Sequence, residues 1–191
     1  MLNLIQNIDN SVNASFVNLV TNFPLLSPIA SVITFFGNYK FIIPFALVFS
    51  LYFWYQEHFR IFGEFSRKYL FPFWTSIILA EGITLALKHI VNRAGPVGRS
   101  LLETDPSFPS GHATIAVAFF GILYYLFRKS IKSPQKKTIF FIFTHAMILL
   151  IGLSRLILNV HFLSDVLFGY FVGIIGLLCG VLVYTQLNAK K

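Results

Sequence analysis

The sequence predicts an all-α membrane protein, in which a bundle of about five transmembrane helices follows an amphipathic helix. Hydrophobic residues make up 56% of the 191 residues and charged residues only 12%, proportions that do not fit an ordinary soluble domain. The mean hydropathy is +0.73. Apolar runs close to the roughly 20 residues that a membrane-spanning helix needs occur at 39–56, 69–90, 110–128, 138–157 and 163–185.

The beginning of the chain is amphipathic rather than uniformly apolar. Apolar residues recur there at helical spacing, namely Ile5, Ile8, Val12, Phe16, Leu19 and Phe23. Polar residues occupy the other face, namely Asn3, Gln6, Asn7, Asp9, Asn10 and Asn13. This pattern favours a helix that lies in the membrane interface.

Proline residues separate this amphipathic helix from the first long apolar run. Pro24 and Pro28 interrupt the chain, and the apolar stretch 27–36 is too short to span a bilayer unaided. We therefore expect one membrane domain over 1–191, with an interfacial or re-entrant region at 1–36 and a transmembrane catalytic core at 37–191. A sixth crossing over 16–36 is the alternative.

The charge distribution predicts how the helices are oriented. The net charge is +8, which in a soluble protein would suggest nucleic acid. Ten positive residues, however, lie in one set of loops and at the C-terminus, namely Arg60, Arg67, Lys68, Arg128, Lys129, Lys132, Lys136, Lys137, Lys190 and Lys191. By the positive-inside rule this side is cytoplasmic. We therefore expect an integral protein of a bacterial plasma membrane, with a cytoplasmic C-terminus, an outer N-terminus and no nucleic-acid partner.

Three polar stretches lie at the outer ends of otherwise apolar helices, at 88–96, 109–112 and 154–165. Lys88, Arg93 and Arg155 can donate charge-assisted hydrogen bonds to phosphate oxygens. Ser110 and Gly111 begin a helix, where free backbone N–H groups favour an anion and the serine adds a hydroxyl. Because the topology brings the three stretches to one membrane depth, the sequence predicts a phosphate site there.

The same stretches contain residues suited to phosphoryl transfer. His161 and Asp165 are four residues apart, so the carboxylate can hold one ring nitrogen protonated and leave the other as a nucleophile. His112 is then available to protonate the leaving oxygen. Cys179 is the single cysteine, which excludes a thiolate metal cluster. The predicted chemistry needs neither a metal nor a cofactor.

The order and spacing of these residues resemble the type 2 phosphatidic acid phosphatase superfamily, which includes bacterial undecaprenyl pyrophosphate and phosphatidylglycerophosphate phosphatases. The matching motifs are Lys-x4-Arg-x2-Pro, Pro-Ser-Gly-His and Ser-Arg-x5-His-x3-Asp. The resemblance implies an enzyme of phospholipid or cell-wall metabolism that hydrolyses a lipid phosphate or pyrophosphate at the extracytoplasmic face.

The resemblance also implies a role for each motif residue. His161 would form a phosphohistidine, Asp165 would orient it, and His112 would act as acid and then activate water. The phosphate-binding residues would be Lys88, Arg93, Ser110, Gly111 and Arg155.

One position departs from the family pattern. The usual first motif would have an arginine at 95, whereas this chain has Gly95, and Arg99 could move into the gap. Glu81, in mid-span on roughly the same helix face as Lys88, is a second accessory candidate. The alternatives are a lipid phosphotransferase that uses the same phosphohistidine, and a non-catalytic lipid-binding or transport protein in which Gly95 marks a degenerate site.

Overall fold

The computed structural model describes residues 2–58, 65–99 and 105–189, and within these ranges every regular element is an α-helix. The helices are α1 (Leu2–Asn22), α2 (Leu26–Phe35), α3 (Tyr39–His58), α4 (Phe65–Val91), α5 (Gly111–Phe127), α6 (Pro134–Ile157) and α7 (Leu163–Ala189). The predicted all-helical membrane fold is confirmed.

The apolar helices agree with the spans that the sequence predicts. Among the described residues, Lys68–Val91, Pro134–Ile157 and Leu163–Ala189 are long and apolar enough to cross a membrane, and so is the stretch Leu26–Tyr55 that includes α2 and α3. The apolar helix α5 is shorter, at 17 residues, which is about 25 Å of helix. The amphipathic helix α1 is not among these candidate spans.

Local sequence signals explain where the helices begin and end. Ser110 has an extended backbone and its hydroxyl accepts a hydrogen bond from the N–H of Ala113, which begins α5. Ser133 caps α6 in the same way. Asn92 follows α4 with φ of 44°, and Asn159 follows α6 with φ of 54°; asparagine tolerates this left-handed region better than most residues. Hydrogen bonds from Ser107 N–H to the carbonyl oxygen of Arg93 at 2.8 Å and from Ser110 N–H to that of Asp165 at 3.0 Å join the segment after α4 and the starts of α5 and α7 at one end of the bundle.

Four glycines on one side of α7 allow close helix packing. This glycine face consists of Gly169, Gly173, Gly176 and Gly180. A Cβ atom at Gly173 would lie 2.5 Å from the carbonyl oxygen of Thr114 on α5, and one at Gly176 would lie 2.5 Å from that of Ser76 on α4. Because α7 touches both helices by its backbone, the start of α5 lies beside the start of α7.

The amphipathic helix α1 packs against α6 and α7. Its apolar residue Ile8 is 47% exposed, as expected for a helix that contacts lipid. Asp9, which the pattern assigns to the polar outer face, is only 1% exposed. That assignment is wrong for Asp9, because the carboxylate forms hydrogen bonds inside the protein instead of with water.

Candidate active site

A cavity of about 370 Å³ opens at the end of the bundle where α4 ends and α5 begins. Its polar end is lined by Lys88, Arg99, Gly111, His112 and His161. Its apolar part is lined by Ile42, Ile43, Ile77, Leu85 and Ile115. The structure thus brings together most of the predicted site residues next to a hydrocarbon-like surface.

His161 is 6% exposed and contacts the protein through one ring nitrogen. Its Nδ1 lies 2.7 Å from the carbonyl oxygen of Ser107 and 3.7 Å from Oδ2 of Asp165. A carbonyl oxygen only accepts, so Nδ1 carries the proton and Nε2 keeps the lone pair. The predicted ring orientation is therefore set by two groups, of which the closer is a loop carbonyl that the sequence did not indicate.

The surroundings of His161 favour the neutral ring. Burial lowers the pKa of His161 below its ordinary value, and the nearby Asp165 carboxylate acts in the opposite direction. The positive charges of Arg155 and Lys88 add to the lowering. His161 is consequently neutral at neutral pH, which is the form that can act as a nucleophile.

Asp165 is fully buried and accepts hydrogen bonds on both oxygens. The backbone N–H of Phe162 donates to Oδ2 at 2.9 Å, and Arg93 Nη1 donates to Oδ1 at 2.6 Å. Arg93 also donates to Asp9 at 2.7 Å and stacks over the ring of Phe162. Arg93 does not line the cavity, because two carboxylates hold its guanidinium behind Asp165. The structure therefore separates it from the predicted phosphate ligands.

The N-terminal turn of α5 contributes His112 and Gly111 to the cavity wall. The ring of His112 has its Nε2 atom 3.5 Å from Asn38 Nδ2, in the connection between α2 and α3. Ser110 is fully buried and does not line the cavity. Its hydroxyl caps α5, and its N–H donates to the carbonyl oxygen of Asp165 at 3.0 Å.

The predicted cations Lys88 and Arg155 occupy different positions. Lys88 lines the cavity, and its Nζ donates to the carbonyl oxygen of Pro106. Arg155 is 2% exposed, and its Nη1 donates to Thr34 Oγ1 at 2.9 Å. Arg155 does not appear in the cavity wall, but its charge acts on His161. It is therefore a buried charge of the site and not part of the cavity wall.

Arg99 occupies the space beside Gly95. A Cβ atom at Gly95 would lie 2.6 Å from Cδ of Arg99 and in contact with its guanidinium. Arg99 lines the cavity, and its Nη1 and Nη2 donate to the carbonyl oxygen of Asp105 at 3.0 and 3.1 Å. The guanidinium of Arg99 thus occupies the position that the Cβ atom of an arginine at 95 would take.

Glu81 and Thr84 also line the cavity. Both are on α4, at three-residue spacing, and Lys88 follows Thr84 by one helical turn. The accessory candidate Glu81 therefore faces the same cavity as Lys88.

Sequence reasoning missed the contacts that the first 38 residues make with the site. Asp9, Thr34 and Asn38 contact Arg93, Arg155 and His112, respectively. A signal existed for Asp9, which is the only charged residue before Lys40. A single carboxylate among uncharged polar residues is a better candidate for pairing with a specific partner than for exposure on a solvated helix face.

Comparisons with known proteins agree on one family. A family model described as the PAP2 superfamily matches residues 69–191. Phosphatidylglycerophosphatase B of Bacillus subtilis (strain 168) is 27% identical over 176 residues, which cover 91% of this chain and 81% of that protein. The crystal structure of a transmembrane PAP2 type phosphatidylglycerolphosphate phosphatase from Bacillus subtilis has a TM-score of 0.78 at 25% identity, covering 99% of this chain and 89% of that one. Aquifex aeolicus LpxE shares the fold, with a TM-score of 0.60 at 22% identity and coverage of 96% and 94%.

Proposed function

The chain belongs to the PAP2 superfamily and is an integral membrane lipid phosphatase. We propose that it hydrolyses phosphatidylglycerophosphate through a phosphohistidine on His161. Phosphatidylglycerophosphate is chosen among the lipid phosphates because the Bacillus subtilis relative that aligns with 91% of this chain is a phosphatidylglycerophosphatase by name. Phosphatidic acid and undecaprenyl pyrophosphate are the other substrates that the motifs allow.

The observation that carries this proposal is the mixed character of the cavity. Lys88, Arg99 and two histidines line the cavity together with Glu81 and Asp105, and isoleucine and leucine side chains form much of the remaining wall. A lipid phosphate has the same division, with an anionic head and an apolar body. Charge-assisted hydrogen bonds hold the head, and burial of hydrocarbon holds the tail.

In the first step, Nε2 of His161 attacks phosphorus in line with the bond to the lipid oxygen. A P–N bond forms, the P–O bond breaks, and His112 donates a proton to the departing lipid oxygen. Lys88, Arg99 and the free N–H groups at the start of α5 stabilise the charge that spreads over the remaining phosphoryl oxygens. Asp165 stabilises the positive charge that develops on the His161 ring.

In the second step, His112 removes a proton from a water molecule, which attacks phosphorus on the side opposite to His161. The P–N bond breaks, inorganic phosphate is released, and His161 returns to its neutral form with Nδ1 protonated. The buried charge of Arg155 supports this step from behind, because it favours the neutral imidazole as a leaving group.

We further propose that this site faces the outside of the cell. The basic loop between α5 and α6 contains Arg128, Lys129 and Lys132 and lies at the end of the bundle opposite to the cavity. Positive loops stay in the cytoplasm. Other residues on which the orientation rests, Arg60, Lys190 and Lys191, lie outside the described residues.

Thiol labelling in intact cells tests this orientation. In a Cys179→Ser background, we expect a membrane-impermeant maleimide to modify Val97→Cys, because Val97 is 95% exposed at the cavity end. Ser130→Cys, in the basic loop, should be modified only in inverted vesicles. Labelling of Ser130→Cys in intact cells, with Val97→Cys protected, would reverse the proposed orientation.

A substrate panel tests the proposed reaction. Purified protein should release phosphate from phosphatidylglycerophosphate with a kcat/KM about 100-fold or more above that for glycerol phosphate, because each buried methylene contributes about 0.8 kcal/mol. Phosphatidic acid and undecaprenyl pyrophosphate complete the panel. Vanadate should inhibit the release and EDTA should not, since side-chain cations neutralise the phosphate. Equal rates on the lipid and the soluble ester, or loss of activity with EDTA, would contradict the proposal.

A further inference from the structure

Helix α1 carries a carboxylate that is buried although most of the helix surface is exposed. Asp9 is 1% exposed, and it is the only side chain of α1 classed as buried among those that the structure describes. Taking a carboxylate out of water is unfavourable unless it is paired and hydrogen-bonded. The partners of Asp9 therefore explain why it lies inside.

Within the part of the chain that the structure describes, the donors to Asp9 belong to residues that adjoin the proposed catalytic pair. Arg93 Nη2 donates to Oδ2 at 2.7 Å, and Ser164 donates its N–H to Oδ1 at 2.9 Å and its hydroxyl to Oδ2 at 2.6 Å. Ser164 precedes Asp165 in α7. One carboxylate thus fixes both the first turn of α7 and one edge of the Arg93 guanidinium.

The other edge of the Arg93 guanidinium leads to His161. Arg93 Nη1 donates to Asp165 Oδ1 at 2.6 Å, and the second oxygen of Asp165 is 3.7 Å from His161 Nδ1. The contacts therefore form a continuous series from Asp9 through Arg93 and Asp165 to His161. The guanidinium is planar, so fixing one edge also fixes the direction of the other.

We propose that Asp9 is a positioning residue for phosphoryl transfer, which holds Arg93 so that Asp165 and His161 keep the geometry needed for attack. This inference rests on the proposed role of His161 as nucleophile. If the Asp9 carboxylate is removed, Asp165 is the one carboxylate that still pairs with Arg93 among the residues that the structure describes. Its charge would then neutralise Asp165 more completely, and the first turn of α7 would lose a contact with α1.

Two further contacts show that the N-terminal segment supports the site at more than one point. Thr34 accepts a hydrogen bond from Arg155, and Asn38 lies beside His112. Residues 1–68 lie outside the part of the chain that the family model matches. The segment before the family motifs therefore contributes contacts to the site that the motifs themselves do not contain.

The kinetic test compares Asp9→Asn with the wild type on one lipid phosphate. Asp9 and Arg93 lie outside the cavity wall, so we expect kcat to fall by about 10-fold to 100-fold through misplacement of the attacking group, with KM within about twofold of wild type. Asp9→Glu should recover part of kcat. Asn10→Ala, on the exposed side of α1, is the matched control and should match wild type.

A second measurement does not require turnover. The groups that act on the His161 ring are Asp165 from α7, Arg155 from α6, Lys88 from α4 and His112 from α5. In Asp9→Asn, Arg93 would pair more closely with Asp165, and the Asp165 carboxylate would stabilise the protonated His161 ring less. The midpoint of the His161 titration, followed by NMR of labelled histidine, should therefore move to lower pH. In Asn10→Ala it should stay in place. A merely structural loss would reduce the folded fraction without moving the midpoint.

The outcomes separate the two proposals. If wild-type turnover requires His161 but Asp9→Asn retains the wild-type kcat and titration midpoint, Asp9 has no positioning role. If turnover survives His161→Ala, the proposed function is wrong, and the titration midpoint then decides on Asp9 alone. Should Asp9→Asn fail to fold, Ser164→Ala removes the hydroxyl that donates to Asp9 and accepts from Arg93 Nη1 at 2.7 Å, so it should loosen the same guanidinium and lower kcat in the same direction. An unchanged kcat in folded Ser164→Ala would overturn the proposal.

Discussion

Replacing His161 by alanine should lower phosphate release from the preferred lipid by about 10,000-fold or more, the size of effect seen when a covalent nucleophile is removed. The remaining cations would still bind the lipid phosphate, so KM should change little. Among the described residues that line the cavity, His161 is the histidine whose Nδ1 is held protonated by a carbonyl, that of Ser107 at 2.7 Å, so that Nε2 keeps its lone pair for attack.

A trapped intermediate distinguishes the two histidines. After a short reaction with labelled lipid phosphate, wild-type protein should carry an acid-labile phosphoryl group on His161, and His161→Ala should carry none. The matched variant is His112→Asn, which loses the general acid. It should regain much of its phosphorylation rate on an ester with a good leaving group, because such an oxygen departs without a proton. Labelled protein in His161→Ala would refute the assignment of the nucleophile.

Replacing Arg99 by alanine should lower kcat/KM by about 100-fold, the usual effect of losing one charged contact to the transition state. A double substitution tests whether Arg99 replaces the arginine that the family has at position 95. Since the Arg99 side chain fills the space next to Gly95, Gly95→Arg combined with Arg99→Ala should recover all but about 10-fold of the wild-type activity, with a guanidinium supplied from the family position.

The single substitution Gly95→Arg provides the control for this experiment. With Arg99 still present, two guanidinium groups compete for one space, so Gly95→Arg alone should be less active than the double variant. If the double variant is no better than Arg99→Ala, Arg99 does not replace the missing arginine. Val97→Ala, in the same loop and 95% exposed, should behave as wild type.

The sequence predicted the helices well because hydropathy and length are enough to define a membrane span. The predicted run 39–56 became Tyr39–His58, and 163–185 became Leu163–Ala189. Other helices differ at their N-terminal ends, since α4 begins at Phe65 instead of 69 and α6 at Pro134 instead of 138. The added turns are polar, so they lower the hydropathy of the run without ending the helix. The predicted interruption of the chain is confirmed at Pro24, which lies between the end of α1 at Asn22 and the start of α2 at Leu26, but Pro28 lies in the first turn of α2 and does not interrupt it.

The site was predictable where chemistry follows local spacing and not where it depends on tertiary contacts. His161 and Asp165 are four residues apart and His112 stands at a helix start, so their proximity could be inferred, although His161 precedes α7 instead of lying on its face. The carbonyl of Ser107 could not, because any residue has a carbonyl. Arg93 was grouped with the phosphate ligands because its two carboxylate partners, Asp9 and Asp165, are 84 and 72 residues away.

The glycine face of α7 has a consequence for how the enzyme responds to its lipid surroundings. Where side chains separate two helices, a change in bilayer thickness can be absorbed by sliding one helix past the other. At Gly173 and Gly176 the backbones of α5 and α4 leave no room for a methyl group, and sliding would press carbonyl oxygens against α-carbons. We therefore expect thicker or thinner membranes to tilt α4, α5 and α7 as one unit, so that Asp165 keeps its alignment with Ser110.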